Sequence, residues 1–141
     1  MKAFLILLLV ASSAVQAADR KHFYAIDQAM KTQNFQERLD PRVRFYFGKQ
    51  AYPEPTMTMG ERVANRKTNA FAKSDREACE WVLLSALLAL QERALADGGN
   101  AVVNIRSYYK KNIHSSQTDY ECHAGAIIAG VALIGDIVRL P

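Results

Sequence analysis

One stretch of this chain admits a single local structure. Ser74-Asp75-Arg76-Glu77 has the form of a capping box, in which the Ser74 hydroxyl accepts from the Glu77 amide and the Glu77 side chain reaches back to the Ser74 amide. Fair or good helix formers follow without a break to Ala96, and Gly98-Gly99 supplies the left-handed stop. The sequence therefore predicts a long helix with fixed ends. Cys79, Val82, Ala86, Leu90 and Ala94 make one apolar stripe on it, while Trp81, Leu84, Leu88 and Leu95 fill much of the remaining circumference. Such a helix needs cover on two sides. A sheet built from the rest of the chain covers one. The flank carrying Leu84, Leu88 and Leu95 faces either the N-terminal segment Phe23–Phe35, with Ile26, Met30 and Phe35, or a second copy of this chain.

The segments around the helix read mainly as strands. Val43–Phe47 is aromatic, branched and closed by Gly48, and Met59–Thr68 is extended. Residues 49–58 contain Pro53 and Pro55 and form a connection. After the glycines, Ala101–Tyr109 alternates, with Ala101, Val103, Ile105 and Tyr109 on one face and Asn104, Arg106 and Tyr108 on the other. Lys110–Gln117 is a polar turn. Tyr120–Ala124 starts a further strand, and the run to Leu140, interrupted by Gly125, Gly130 and Gly135, is either one kinked strand or a hairpin. Tyr24–Leu39 suits a short amphipathic helix, ended by Asp40-Pro41. The expected fold is α+β: one long helix on a mainly antiparallel sheet, plus a short N-terminal helix.

The first residues read as an export signal. Lys2 precedes the apolar run Ala3–Ala11, and Val15-Gln16-Ala17 places small residues where a signal peptidase reads them, so cleavage falls between Ala17 and Ala18. The apolar run is well short of the roughly 20 residues a spanning helix needs. With Ala18 after the cleavage point there is no cysteine to take a lipid anchor. The expectation is a signal peptide over 1–17 and a soluble periplasmic domain over 18–141. Its two cysteines, Cys79 and Cys122, form an even set in an oxidising compartment and are expected to be bridged. Net charge is +4 over the whole chain. The densest basic cluster, Arg62, Arg66, Lys67 and Lys73, falls short of the stripe a nucleic-acid-binding face needs.

Ala96-Asp97-Gly98-Gly99-Asn100-Ala101-Val102-Val103-Asn104-Ile105 resembles the helix-to-strand junction of the small bacterial YbjQ-like domains, often labelled heavy-metal-binding. It is also similar to the matching part of the RcsF-like outer-membrane stress-sensor lipoproteins. The likeness covers roughly residues 59–140, leaving 18–58 as an N-terminal extension. Across nearly the whole chain, Leu39-Asp40-Pro41, Phe45-Tyr46-Phe47-Gly48, Lys67-Thr68-Asn69-Ala70-Phe71, Gly98 to Asn112 and Tyr120 to Ala126 resemble a family of exported proteobacterial proteins. Its members commonly carry the label of an excinuclease ATPase subunit. That label does not fit: there is no Gly-x-x-x-x-Gly-Lys-Ser/Thr loop to cradle phosphates, and the chain is too short for such an ATPase. The sensor resemblance implies a disulfide pinning helix to sheet, with Cys79 on the helix and Cys122 on a strand beneath it. The YbjQ-like resemblance implies a ring-like homo-oligomer as one fate of the second helix face.

Candidate chemistry is sparse. His114 and His123 are the metal candidates, but neither has a ligand at the close spacing of a zinc motif, and a bridge would consume both thiolates. Cys79 sits on the apolar stripe, as a structural bridge does, rather than in a redox Cys-x-x-Cys. No nucleophile elbow occurs. No catalytic residue and no cofactor is assigned. Tyr108-Tyr109-Lys110-Lys111-Asn112 mixes aromatic and basic residues, so Tyr108, Lys110 and Lys111, with Leu84 and Leu88 on the helix, are the expected contact surface. The functional expectation is a non-enzymatic envelope module acting through an unknown envelope protein partner, with metal handling as the alternative and enzymatic chemistry third.

Overall fold

A computed structural model describes residues 19–141; the expected signal peptide and both residues of its expected cleavage point, Ala17 and Ala18, lie outside them. The long helix, α3 (Asp75–Asp97), begins where Ser74 Oγ accepts from the Glu77 amide at 3.1 Å and ends at Gly98, whose φ of 84° only glycine adopts at no cost. Asp75 and Glu77 in its first turn complement the positive end of the helix dipole. Its buried residues include the stripe Cys79, Val82, Ala86, Leu90 and Ala94. They also include Leu83 and Leu87, which the stripe reading passed over and which have no exposed surface.

Among the described residues six strands form one sheet. The last, β6 (Ile128–Arg139), is its centre. Along one edge, β3 (Met57–Asn69) pairs with it antiparallel from Met57↔Arg139 to Asn69↔Ile128. The other edge is shared. β5 (Asp119–Ala124) pairs first, at Ala124↔Ala129 and His123↔Gly130; the Tyr108 amide then donates to the Ala132 carbonyl at 2.9 Å; β4 (Ala101–Ser107) continues along Leu133–Val138. β1 (Arg20–Ala25) extends the sheet beyond β5, and β2 (Arg44–Phe47) joins β4 in the one parallel pairing. Residues 120–140 are thus a hairpin, closed by the Gly125 amide on the Ile128 carbonyl at 2.8 Å, whose arms part after two pairs to take different neighbours. Gly135 marks the tightest crossing: a Cβ there would sit 2.7 Å from Val102 Cγ1.

α3 lies on one face of this sheet. Its buried side chains share a single hydrophobic cluster with Val102, Ile105, Val131, Leu133 and Ile137. Cys79 and Cys122 are joined between α3 and β5, with Cα atoms 5.9 Å apart. The fold is α+β, with a mixed but mainly antiparallel sheet.

Three local expectations change. The helix expected over Tyr24–Leu39 is a strand and two short helices: β1, then α1 (Ile26–Met30) and α2 (Gln33–Arg38). Thr32 breaks the helical run with an extended backbone and turns its hydroxyl onto the Ala29 carbonyl at 2.8 Å. In β4, Asn104 has a φ of 51° and forms a bulge, since Val103↔Asp136 is followed by Arg106↔Ile134. Ile105 therefore joins Val102 under the helix, while Ala101 and Val103 face the other way, packing with Val138, Leu140 and Tyr46. Third, Leu84 is 1% exposed and Leu88 half-buried, in the cluster that contains Ile26 and Phe35. The N-terminal segment covers this flank, and the Asp40 amide on Gln91 Oε1 at 2.7 Å ties it down. Leu84 is core rather than contact surface; Leu95, at 36% exposure, lies outside that cover.

Candidate binding surface

Strand alternation sorts β1 and β5 into two faces. Toward α3, β5 sends Tyr120, Cys122 and Ala124, all buried in the core cluster. On the same side of β1, Arg20 and His22 reach Asp75 at the start of α3. Arg20 donates to both carboxylate oxygens, at 2.7 and 2.8 Å, and His22 Nε2 lies 2.7 Å from Oδ2. The Arg20 guanidinium, aided by His22, holds the Asp75 carboxyl well below the usual carboxylate range. This group fixes β1 to the helix. Nothing in the sequence marks it, because its members lie more than fifty positions apart.

The opposite face carries the chemistry. Glu121 is 5% exposed, a carboxylate kept nearly out of water. Its amide donates to Ser107 Oγ at 3.1 Å, its Oε2 lies 2.7 Å from His123 Nε2, and Lys21 Nζ stands 3.8 Å from Oε1. A buried charge is tolerated only when paired in this way. The His123 ring is in turn stacked on Tyr109, with ring centres 3.5 Å apart and planes inclined by 10°. Asp19, Lys67, Ile128 and Gly130 complete a shallow depression beside this pair.

Tyr109 is held there by an unusual turn. Ser107 and His114 pair backbone to backbone, at 2.9 and 3.1 Å, closing the loop between them. Inside it Lys110 and Lys111 have φ of 50° and 65°, the left-handed region that side chains ordinarily avoid. Two consecutive left-handed residues cost roughly 1–2 kcal/mol each, and the loop closure holds them. The result points two exposed lysines outward beside an aromatic ring, with Lys110 Nζ 5.6 Å from the Tyr109 ring centre. Tyr108 is half-buried next to them. His114 packs against Phe23 with its ring tilted by 49°, ring centres 4.5 Å apart, and lies 2.7 Å from Asp119 Oδ1.

The structure thus gives the two metal candidates separate partners, His123 with Glu121 and His114 with Asp119. Among the described residues, no three of His, Cys, Asp and Glu are arranged to hold a metal ion, and the two cysteines are spent on each other. Lys110 stands over Tyr109, whose ring stacks on His123, and Tyr108 and Lys111 adjoin them in the chain; Leu84 and Leu88 are on the other side of the sheet. Sequence reasoning missed Glu121, Lys21 and Tyr109 as members of this surface. The alternation of β5 was the available signal, since it puts Glu121 and His123 on one face opposite bridged Cys122. A second feature with no sequence signal is an apolar groove between α2 and β2, bordered by Met30, Leu39, Pro41 and Phe45. Among the described residues, no helix is long and apolar enough to cross a membrane.

No family model, curated protein or solved structure matches the chain.

Proposed function

We propose that this protein is a non-enzymatic binding module of the bacterial envelope, exported through residues 1–17, beginning at Ala18 in the periplasm, and acting by contact with an envelope protein. Contact runs through Tyr108, Lys110 and Lys111 and the sheet face beside them. The observation that carries this reading is the strained Lys110–Lys111 turn braced against the Tyr109–His123–Glu121 stack. Backbone strain and a nearly buried carboxylate both cost stability, and a surface with no task has no use for either. The Cys79–Cys122 bridge supports an oxidising compartment. The helix, Gly-Gly turn and following strand, with a bridge from helix to sheet, support grouping residues 59–140 with the YbjQ-like and RcsF-like domains.

Photo-crosslinking from positions 108, 110 and 111 in intact cells tests the contact. A discrete crosslinked protein is expected from these positions, absent from a probe at exposed Leu95 and lost with Tyr109→Ala. No crosslink from any of the three, in cells that accumulate the protein, refutes it. Stoichiometric zinc binding by the oxidised protein, lost with His123→Ala, overturns it in favour of metal handling. N-terminal sequencing tests export: an intact Met1 refutes that part.

A further inference from the structure

At the end of the sheet where β3 finishes and β6 begins, two short loops lie side by side. With the first residue of β6 they leave three large apolar side chains in water: Phe71 is 71% exposed, Ile127 65% and Ile128 53%. These are neighbours in space, since the Ala70 amide donates to the Ile127 carbonyl at 2.6 Å and Asn69 pairs with Ile128. The loops are also ordered by their own bonds. The Phe71 amide donates to Asn69 Oδ1 at 2.8 Å, the Lys73 amide to the Ala70 carbonyl at 3.2 Å, and Ala72 between them sits at a φ of 60°. A tip pre-ordered in this way surrenders little entropy on insertion.

The charge around the tip is positive. Lys73 is anchored by its ammonium on the Asn69 carbonyl at 2.9 Å, and Lys67 stands beside Ile128 in the depression next to Tyr109. Among the described residues neither lysine makes an ion pair. The one acid lining that depression is Asp19. Exposed apolar side chains in a basic rim have the chemistry of a peripheral lipid contact, in which apolar groups enter the acyl boundary and ammonium groups meet phosphates. We propose that this tip docks the protein on an anionic bilayer surface, with Phe71, Ile127 and Ile128 inserted and Lys67 and Lys73 against the headgroups. Lys67 and Ile128 also line the depression beside Tyr109, so this contact borders the protein contact at Tyr108–Lys111.

Flotation of the purified, cell-processed protein with vesicles tests it. Binding is expected to vesicles of phosphatidylglycerol and phosphatidylethanolamine and to be much weaker to phosphatidylcholine alone. Phe71→Ser with Ile127→Ser should lower binding at least about tenfold. Lys67→Gln and Lys73→Gln should each lower binding to the anionic vesicles about fivefold at low salt and leave neutral vesicles unaffected. Phe71, Ile127 and Lys67 are exposed, so melting curves of those variants should coincide with that of the parent, and the variant at half-buried Lys73 is compared at a temperature where its own melt shows it folded; if the double variant melts early, Ile127→Gln alone serves. Absence of flotation with anionic vesicles overturns the proposal, as does binding that ignores the apolar substitutions. A fall in mass by light scattering in lipid-free buffer, caused by those substitutions, also overturns it, because the patch is then a contact between copies.

Discussion

Replacing Cys79 and Cys122 together by alanine asks how much of this fold depends on its single covalent tie. The bridge joins residues 43 positions apart. On the chain-entropy account, freeing a loop of that size returns about 4 kcal/mol to the unfolded ensemble, and loss of a native bridge typically costs 2–5 kcal/mol. Both sites have no exposed surface, so deleting the sulfurs also removes packing between α3 and β5, and the loss should lie in the upper part of that range. For a chain of this size the melting temperature should drop by roughly 15–20 °C. Urea denaturation should show a lower midpoint and a steeper dependence on denaturant, because the unfolded chain no longer carries a closed loop and exposes more surface. The alanines keep the site apolar and add no buried hydroxyl, so the loss is not that of an unpaired polar group. A destabilisation below about 1 kcal/mol with an unchanged slope would refute the reasoning. The tie would then be redundant with the contacts around it.

Leu84→Ala should destabilise by about 2–5 kcal/mol, because the N-terminal segment leaves the side chain no route to solvent; light scattering should show an unchanged mass, and dissociation of an oligomer into stable subunits would contradict intrachain cover. Asp75→Asn should blunt acid sensitivity. The folded carboxyl lies below its unfolded value, so its stabilising contribution is complete above about pH 4 and is lost as pH falls below that. Stability of the parent should therefore fall more steeply than that of the variant below pH 4, and parallel curves from acid titration followed by far-UV circular dichroism would count against the Arg20–Asp75–His22 group.

What the residues announce and what they conceal divide along physical lines. α3 was legible from end to end because Ser74 and Gly98 act within a turn of themselves. The bridge was legible from an even pair of cysteines in a chain expected to be exported. β1 was not: Arg20–Ala25 has alternating exposure but few apolar residues, and becomes a strand because β5 is there to receive it. Thr32 splits a plausible helix through one side-chain bond that competes with the backbone. Asn104 reverses the facing of Ile105 by adding one residue to a ladder, and no periodicity records such a phase slip. The binding surface follows the same rule. Lys110 and Lys111 stood out by composition, whereas the Glu121–His123–Tyr109 stack needed the register of β5 and the closure of Ser107 on His114 before its parts could meet.

Among the described residues β6 comes last in sequence order, yet β3, β4 and β5 all pair with it along its two edges. Until residues 128–139 are synthesised, β3 has no neighbour, β4 has only β2, and β5 has only β1. The chain accordingly remains unassembled during its own production, and a ribosome halted near Gly125 releases a product with open edges rather than a smaller stable sheet. Delayed closure keeps the strands apart until residues 128–139 arrive. It also makes residues 128–139 a quality checkpoint, since a copy lacking them exposes its unpaired strands to proteases.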